Sequence, residues 1–143
     1  MQEHTQSNKM PVSFWIISSL GLLWNLYGVY QYIGTLRSTP ESLQAMGMTA
    51  EQAQLYSSLP VWMTLAFAIG VFGGVAGCVA LLLRRRVATP IFAVSLAGYI
   101  VLYIGDITEG VFAALGMSQV IVLTVVVIIA AGLLWFSKAI SKN

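Results

Sequence analysis

Phe92, Ser95, Tyr99, Tyr103 and Asp106 are spaced so that a helix carries them on one face about 80° wide at ~100° per residue, stacking two phenols and a carboxylate in line. An earlier apolar stretch supplies Asn25, Gln31 and Tyr32. Counted at ~1.5 Å per residue from the start of each stretch, Asn25, Gln31, Tyr99 and Asp106 fall in the same outer half of a bilayer. Amide, carboxylate and aromatic faces are the groups that sugars and amines meet. The functional reading is therefore a small outward-open pocket walled by Asn25, Gln31, Tyr32, Tyr99, Tyr103 and Asp106, which binds a polar solute or a cation. The competing reading makes Asn25 an interhelical hydrogen-bonding group worth about 0.6–2 kcal/mol. In that reading the tyrosines and Trp62 form an interfacial belt, and Asp106 and Glu109 are wetted residues at a helix end.

Other chemistries find no support in the residues. There is no H-E-x-x-H, nucleophile elbow, phosphate-binding loop or C-x-x-C, and so no enzyme activity and no cofactor is expected. Asp106 and Glu109 share a face, but a turn next to water gives no desolvation to separate two carboxylates into acid and base. The single cysteine, Cys78, excludes an intrachain disulfide and a zinc cluster and reads as a small packing residue. The single histidine, His4, lies in a polar tail, so no metal site is expected.

The elements that must position these residues are set by apolarity. With 58% hydrophobic and 8% charged residues and a mean hydropathy of +0.84, the chain is too apolar for a water-soluble domain of its size. From Pro60 to Leu83 no residue is charged, and at ~1.5 Å rise per residue that run covers the ~30 Å core of a bilayer. The fold class expected is an all-α integral membrane protein, a four-transmembrane-helix bundle forming one domain over residues 1–143. Its spans are placed at about 11–35, 60–83, 89–107 and 118–138. The insert 38–59 should hold two short helices. One begins at Thr39-Pro40-Glu41, the other at Thr49 with Gln52 at capping-box spacing, and they separate around Gly47. Thr89 reads as the cap of the third span, Gly116 as a helix stop and Ser118 as the cap of the fourth.

Basic residues orient the bundle. Lys9, Arg84, Arg85, Arg86, Lys138 and Lys142 fall on one side and Arg37 alone on the other, so both termini and the arginine turn are expected in the cytoplasm. The arginine triplet is read as this orientation signal. Dispersed along the chain, these charges form no basic face for nucleic acid.

In lipid, helices associate through close backbone approach. The second span offers Gly70, Gly73, Gly74 and Gly77, flanked by Ala66 and Ala80, as a helix-packing stripe, with a homodimer as the alternative occupant of that face. Ser18, Gly21, Asn25, Gly28, Tyr32 and Thr35 on the first span alternate steps of three and four and should answer it. Val120 to Ile129 is almost wholly β-branched and is expected to face lipid.

Three stretches also carry a resemblance: Leu23-Trp24-Asn25-Leu26-Tyr27-Gly28; Met48-Thr49-Ala50-Glu51-Gln52 through Tyr56 to Pro60-Val61-Trp62; and Ala68-Ile69-Gly70-Val71-Phe72-Gly73-Gly74 leading to Leu81-Leu82-Leu83-Arg84-Arg85-Arg86 and Pro90. Together they resemble a group of small four-span bacterial membrane proteins, mostly uncharacterised, that automatic annotation sometimes labels sugar transporters. The resemblance covers most of residues 12 to 105 and implies a bacterial cytoplasmic (inner) membrane with a periplasmic insert; it carries over no functional residues. The leading expectation is an accessory or structural membrane component acting through a membrane-protein partner or as a homo-oligomer. The alternative is a small-solute carrier, for sugar-like or cationic solutes, working as an oligomer around the outer polar cluster.

Overall fold

The computed structural model describes residues 10–141; His4, Lys9 and Lys142 lie outside them. The described chain is helical, with no strand among its residues: α1 (Val12–Arg37), α2 (Pro40–Ala45), α3 (Ala50–Ser57), α4 (Val61–Leu82), α5 (Ala88–Thr108), α6 (Val111–Leu115) and α7 (Met117–Ser141). Four of them, α1, α4, α5 and α7, are long and apolar enough to cross a membrane. Large apolar side chains cover their outer faces, among them Leu20, Leu65, Phe72, Val94, Ile104 and Ile128. In water such a surface would drive aggregation, whereas lipid tails solvate it. The chain is a multi-pass membrane protein.

Packing runs α1–α4–α5–α7, with α4 the most enclosed: 44% of its apolar window is buried, against 22% for α1 and for α7. The α1–α4 seam uses the first-span stripe. Gly21 meets Cys78, Asn25 meets Gly74, Gly28 meets Val71, and Tyr32 stands edge-on to Phe67, each step up one helix matching a step down the other. That alternation of four and three residues is the near-heptad period of left-handed packing.

The glycine face of α4 is shared between two neighbours. Only Gly74 turns to α1; the ring of Tyr99 lies over Gly70, Ser95 against Gly73 and the ring of Phe92 over Gly77, so most of the stripe meets α5 rather than the first span. Two aromatic rings seven residues apart need flat sites at the same interval, and glycines supply them. Ser95 Oγ closes the seam by donating to Gly70 O at 2.6 Å. The fourth span is also less idle than its β-branched run implies. Leu123, Ala130, Leu133 and Ser137 are buried, and α7 reaches α5 through Tyr103–Thr124 at 3.0 Å and Thr89–Ser137 at 3.2 Å.

The short elements end for local reasons. Thr39 and Thr49 both form capping boxes, with Ser42 and Gln52 as reciprocal partners. Gly47, at φ +109°, closes α2 with the paired bonds Met48 N–H to Leu43 O and Gly47 N–H to Gln44 O, a Schellman ending that needs a left-handed residue. Arg84 plays the same part after α4 at φ +58°. Thr89 does not cap α5, which starts at Ala88 behind Val87; its hydroxyl serves Ser137 instead. Ser118 lies inside α7, which follows Gly116 directly. The turn before it winds into α6, a single helical turn between two positive-φ glycines, Gly110 and Gly116.

Candidate functional site

At the end of the bundle away from the arginine turn, all four spans and α3 border one cavity of about 550 Å³. From α1 come Trp24, Tyr27, Gln31 and Thr35; from α4, Thr64, Phe67 and Val71; from α5, Tyr99 and Asp106; from α7, Gln119, Val122 and Val126. Tyr56 and Ser57 of α3 line it as well. That helix is tied on two sides, since the Tyr56 hydroxyl meets Thr35 Oγ1 at 3.3 Å on α1 and Gln52 Nε2 donates to Ala114 O at 2.9 Å on α6. Gln52 is the same side chain that closes the α3 capping box through its Oε1, so one amide both starts the helix and clamps it in place.

The cavity exists because α1 and α7 close against each other at one end and not at the other. Near the arginine turn Leu133 packs on Gly21 and Phe14 stacks on Phe136 with centroids 6.2 Å apart, within a core that includes Cys78, Leu81 and Phe92. Towards α3, the residues of α1 and α7 that would complete the seam line the cavity instead. Trp24 marks the transition. It borders the cavity and also a shallower, wholly apolar groove that continues the α1–α7 seam past Leu20 and Ile129.

Of the six residues singled out by type and spacing, Gln31, Tyr99 and Asp106 line the cavity, while Asn25, Tyr32 and Tyr103 do not. Asn25, 3% exposed, donates Nδ2 to Gly21 O of its own helix at 2.8 Å and presses its carboxamide against Gly74. The same Nδ2 also reaches Cys78 Sγ on α4 at 3.7 Å, so Asn25 acts in the α1–α4 seam. Tyr32 sits edge-on between Phe67 and Phe72, and Tyr103 turns to Thr124 and Phe112. Gln31 is on the cavity's exposed side, donating to the Tyr27 hydroxyl at 2.6 Å.

Asp106 is not a wetted end residue. It is 4% exposed and accepts a hydrogen bond on Oδ2 from Gln119 Nε2 at 3.2 Å, while Glu109, one turn on, is exposed. Among the described residues Oδ1 has no hydrogen-bond partner, yet it is not sealed off, and the residue lines the cavity. Gln119 is the functional side chain that spacing within single spans overlooks, because it enters from the first turn of α7 to meet the last turn of α5. The signal for it was a carboxamide one turn inside an otherwise apolar helix. Thr64 carried a similar signal, as a polar side chain early in the least polar region of α4.

No group of His, Cys, Asp and Glu side chains able to hold a metal ion occurs among the described residues. One carboxylate and amides fall short of the six to eight oxygens that calcium takes. The arrangement can hold a small molecule: aromatic and aliphatic walls, with hydrogen-bonding groups gathered at one end. Comparison with family models, with curated proteins and with solved structures returns no match for this chain.

Proposed function

We propose that this chain binds a small molecule within the membrane as a multi-pass protein of a bacterial cytoplasmic membrane, akin to the small four-span group it resembles. In this reading Arg84, Arg85 and Arg86 stay in the cytoplasm with both termini, and α2 and α3 lie on the periplasmic side. The cavity then opens in the outer half of the bundle. Its support is one observation: about 550 Å³ of space among four spans, roofed by α3, with the buried Asp106–Gln119 pair at its polar end. That volume lies within the range of pockets that enclose drug-sized ligands. A purely structural component has no need of such a space, since atoms that line a void forfeit packing contacts on that side.

One copy offers binding rather than a path. The half of the bundle next to the arginine turn is filled by Phe14, Cys78, Phe92 and Leu133, so a carrier role calls for a second conformation or a second copy. A scaffold acting through partners is the second reading. The stripe that would have specified a homodimer is covered within the chain, Gly70 and Gly77 by Tyr99 and Phe92 and Gly74 by Asn25, which leaves the cavity reading ahead.

The test uses thiol chemistry, because a cysteine reacts as the thiolate and needs water to form it. In bilayer-reconstituted protein, Val126→Cys on a Cys78→Ala background should react with a small methanethiosulfonate at least ~10-fold faster than native Cys78, which is fully buried. Equal, negligible reactivity at both positions would mean a dry interior and would favour the scaffold.

A further inference from the structure

We propose that the cavity takes an organic cation with an aromatic or otherwise apolar body, its charge met by the Asp106 carboxylate; this rests on the ligand-binding reading above. Asp106 is buried and is held by a single neutral donor, Gln119 Nε2, while Oδ1 is left without a protein partner on the cavity side. Among the described residues no Lys, Arg or His borders the cavity. The other titratable groups lining it are phenols, Tyr27 and Tyr56 from α1 and α3 and Tyr99 from α5, and α4 and α7 contribute none. An ionised carboxylate in such surroundings costs several kcal/mol unless an opposite charge joins it. A bound cation is the partner the geometry lacks.

The walls specify the rest of the ligand. Trp24, Phe67 and Tyr99 offer ring surfaces, and ring faces attract cations as well as apolar groups. Away from Asp106 the lining turns to Val71, Val122 and Val126, which can satisfy no hydroxyl. A sugar, polar on all sides, could pair hydroxyls with Gln31, Thr35, Ser57 and Thr64, but would leave those turned to the valines unpaired, at a cost of about 1–3 kcal/mol each. An amphipathic cation places its charge at Asp106 and its body on the valines. The apolar groove past Leu20 and Ile129 shares Trp24 with the cavity.

The experiment is equilibrium dialysis of purified protein in phosphatidylcholine nanodiscs, with empty nanodiscs as the partition control. The probes are tetraphenylphosphonium and its neutral analogue triphenylphosphine oxide. The wild type should bind the cation at least ~10-fold more tightly than the neutral probe, the equivalent of ~1.4 kcal/mol. Asp106→Asn, which keeps an acceptor for Gln119, should level the two affinities. Gln119→Leu, which removes the donor that favours the ionised carboxylate, should narrow the gap and so provides a second variant should Asp106→Asn fail to fold. Equal binding of both probes by the wild type, lost in the cavity-filling Val126→Trp, overturns the cation and leaves the cavity reading intact. A preference that survives Asp106→Asn unchanged, or widens in Gln119→Leu, overturns the role of Asp106. Binding of neither probe, or binding indifferent to Val126→Trp, overturns the cation and the cavity reading together.

Discussion

A carboxamide beside a glycine sets the closeness of α1 and α4. The Asn25 side chain occupies the space a Cβ on Gly74 would take, and the rings of Tyr99 and Phe92 do the same at Gly70 and Gly77. Gly74→Ala should therefore cost about 1–3 kcal/mol through overpacking, read as a lower melting temperature of the detergent-solubilised protein. Gly132 has nothing within 4 Å of its would-be Cβ, so Gly132→Ala should raise stability by up to about 1 kcal/mol through helix propensity alone. Both glycines look alike as letters in an apolar run. What spacing shows at this scale is which residues share a face, and the α1 stripe from Ser18 to Tyr32 is buried as its period requires. Spacing does not show where a polar side chain spends its hydrogen bonds. Asn25 turned back to its own helix and Tyr103 to α7, while Asp106 found a carboxamide thirteen residues on in sequence.

Among the elements, α3 sits across the cavity on few attachments. Ala53 is its buried anchor, and the Gln52–Ala114 and Tyr56–Thr35 contacts tie its two sides. Replacing both partners, Gln52→Leu with Tyr56→Phe, should lower the local stability of α3 by about 1–2 kcal/mol and speed its amide hydrogen exchange by a factor of ~5–30, while α4 and α5 amides stay protected. The limits of the four spans were legible to within three residues, because uncharged runs, prolines and caps act locally. The N-cap at Thr39 and the capping box at Thr49 were legible for the same reason, whereas the reciprocal part of Ser42 was not. The single turn α6 was not, since five residues are too few to display a helical period, and Thr89 misled because a hydroxyl next to a proline is as able to bond across helices as to cap one.

For the molecule as a whole, the arrangement of basic residues carries the prediction about sides. On a Cys78→Ala background, Arg85→Cys should stay unlabelled by a membrane-impermeant maleimide in intact cells and label after lysis. Met46→Cys, at a position 81% exposed at the opposite end of the bundle, should label at once, and the reverse pattern would invert the topology. The gathering of four spans around a cavity was beyond the sequence, because it depends on α1 and α7 meeting at Gly21–Leu133 and parting beyond it.

That parting bears on the order of assembly. The wall that completes the cavity belongs to the last of the four spans to be translated, so a nascent chain that has delivered only α1, α4 and α5 holds Asp106 without Gln119 and an unfinished groove beside Trp24. A chain ended at Gly116 should accordingly insert yet be degraded faster than the full-length protein in a pulse-chase, and co-expressed α7 should rescue it. Membrane-protein surveillance would thus read the arrival of α7, Gln119 included, as the sign that the bundle has closed.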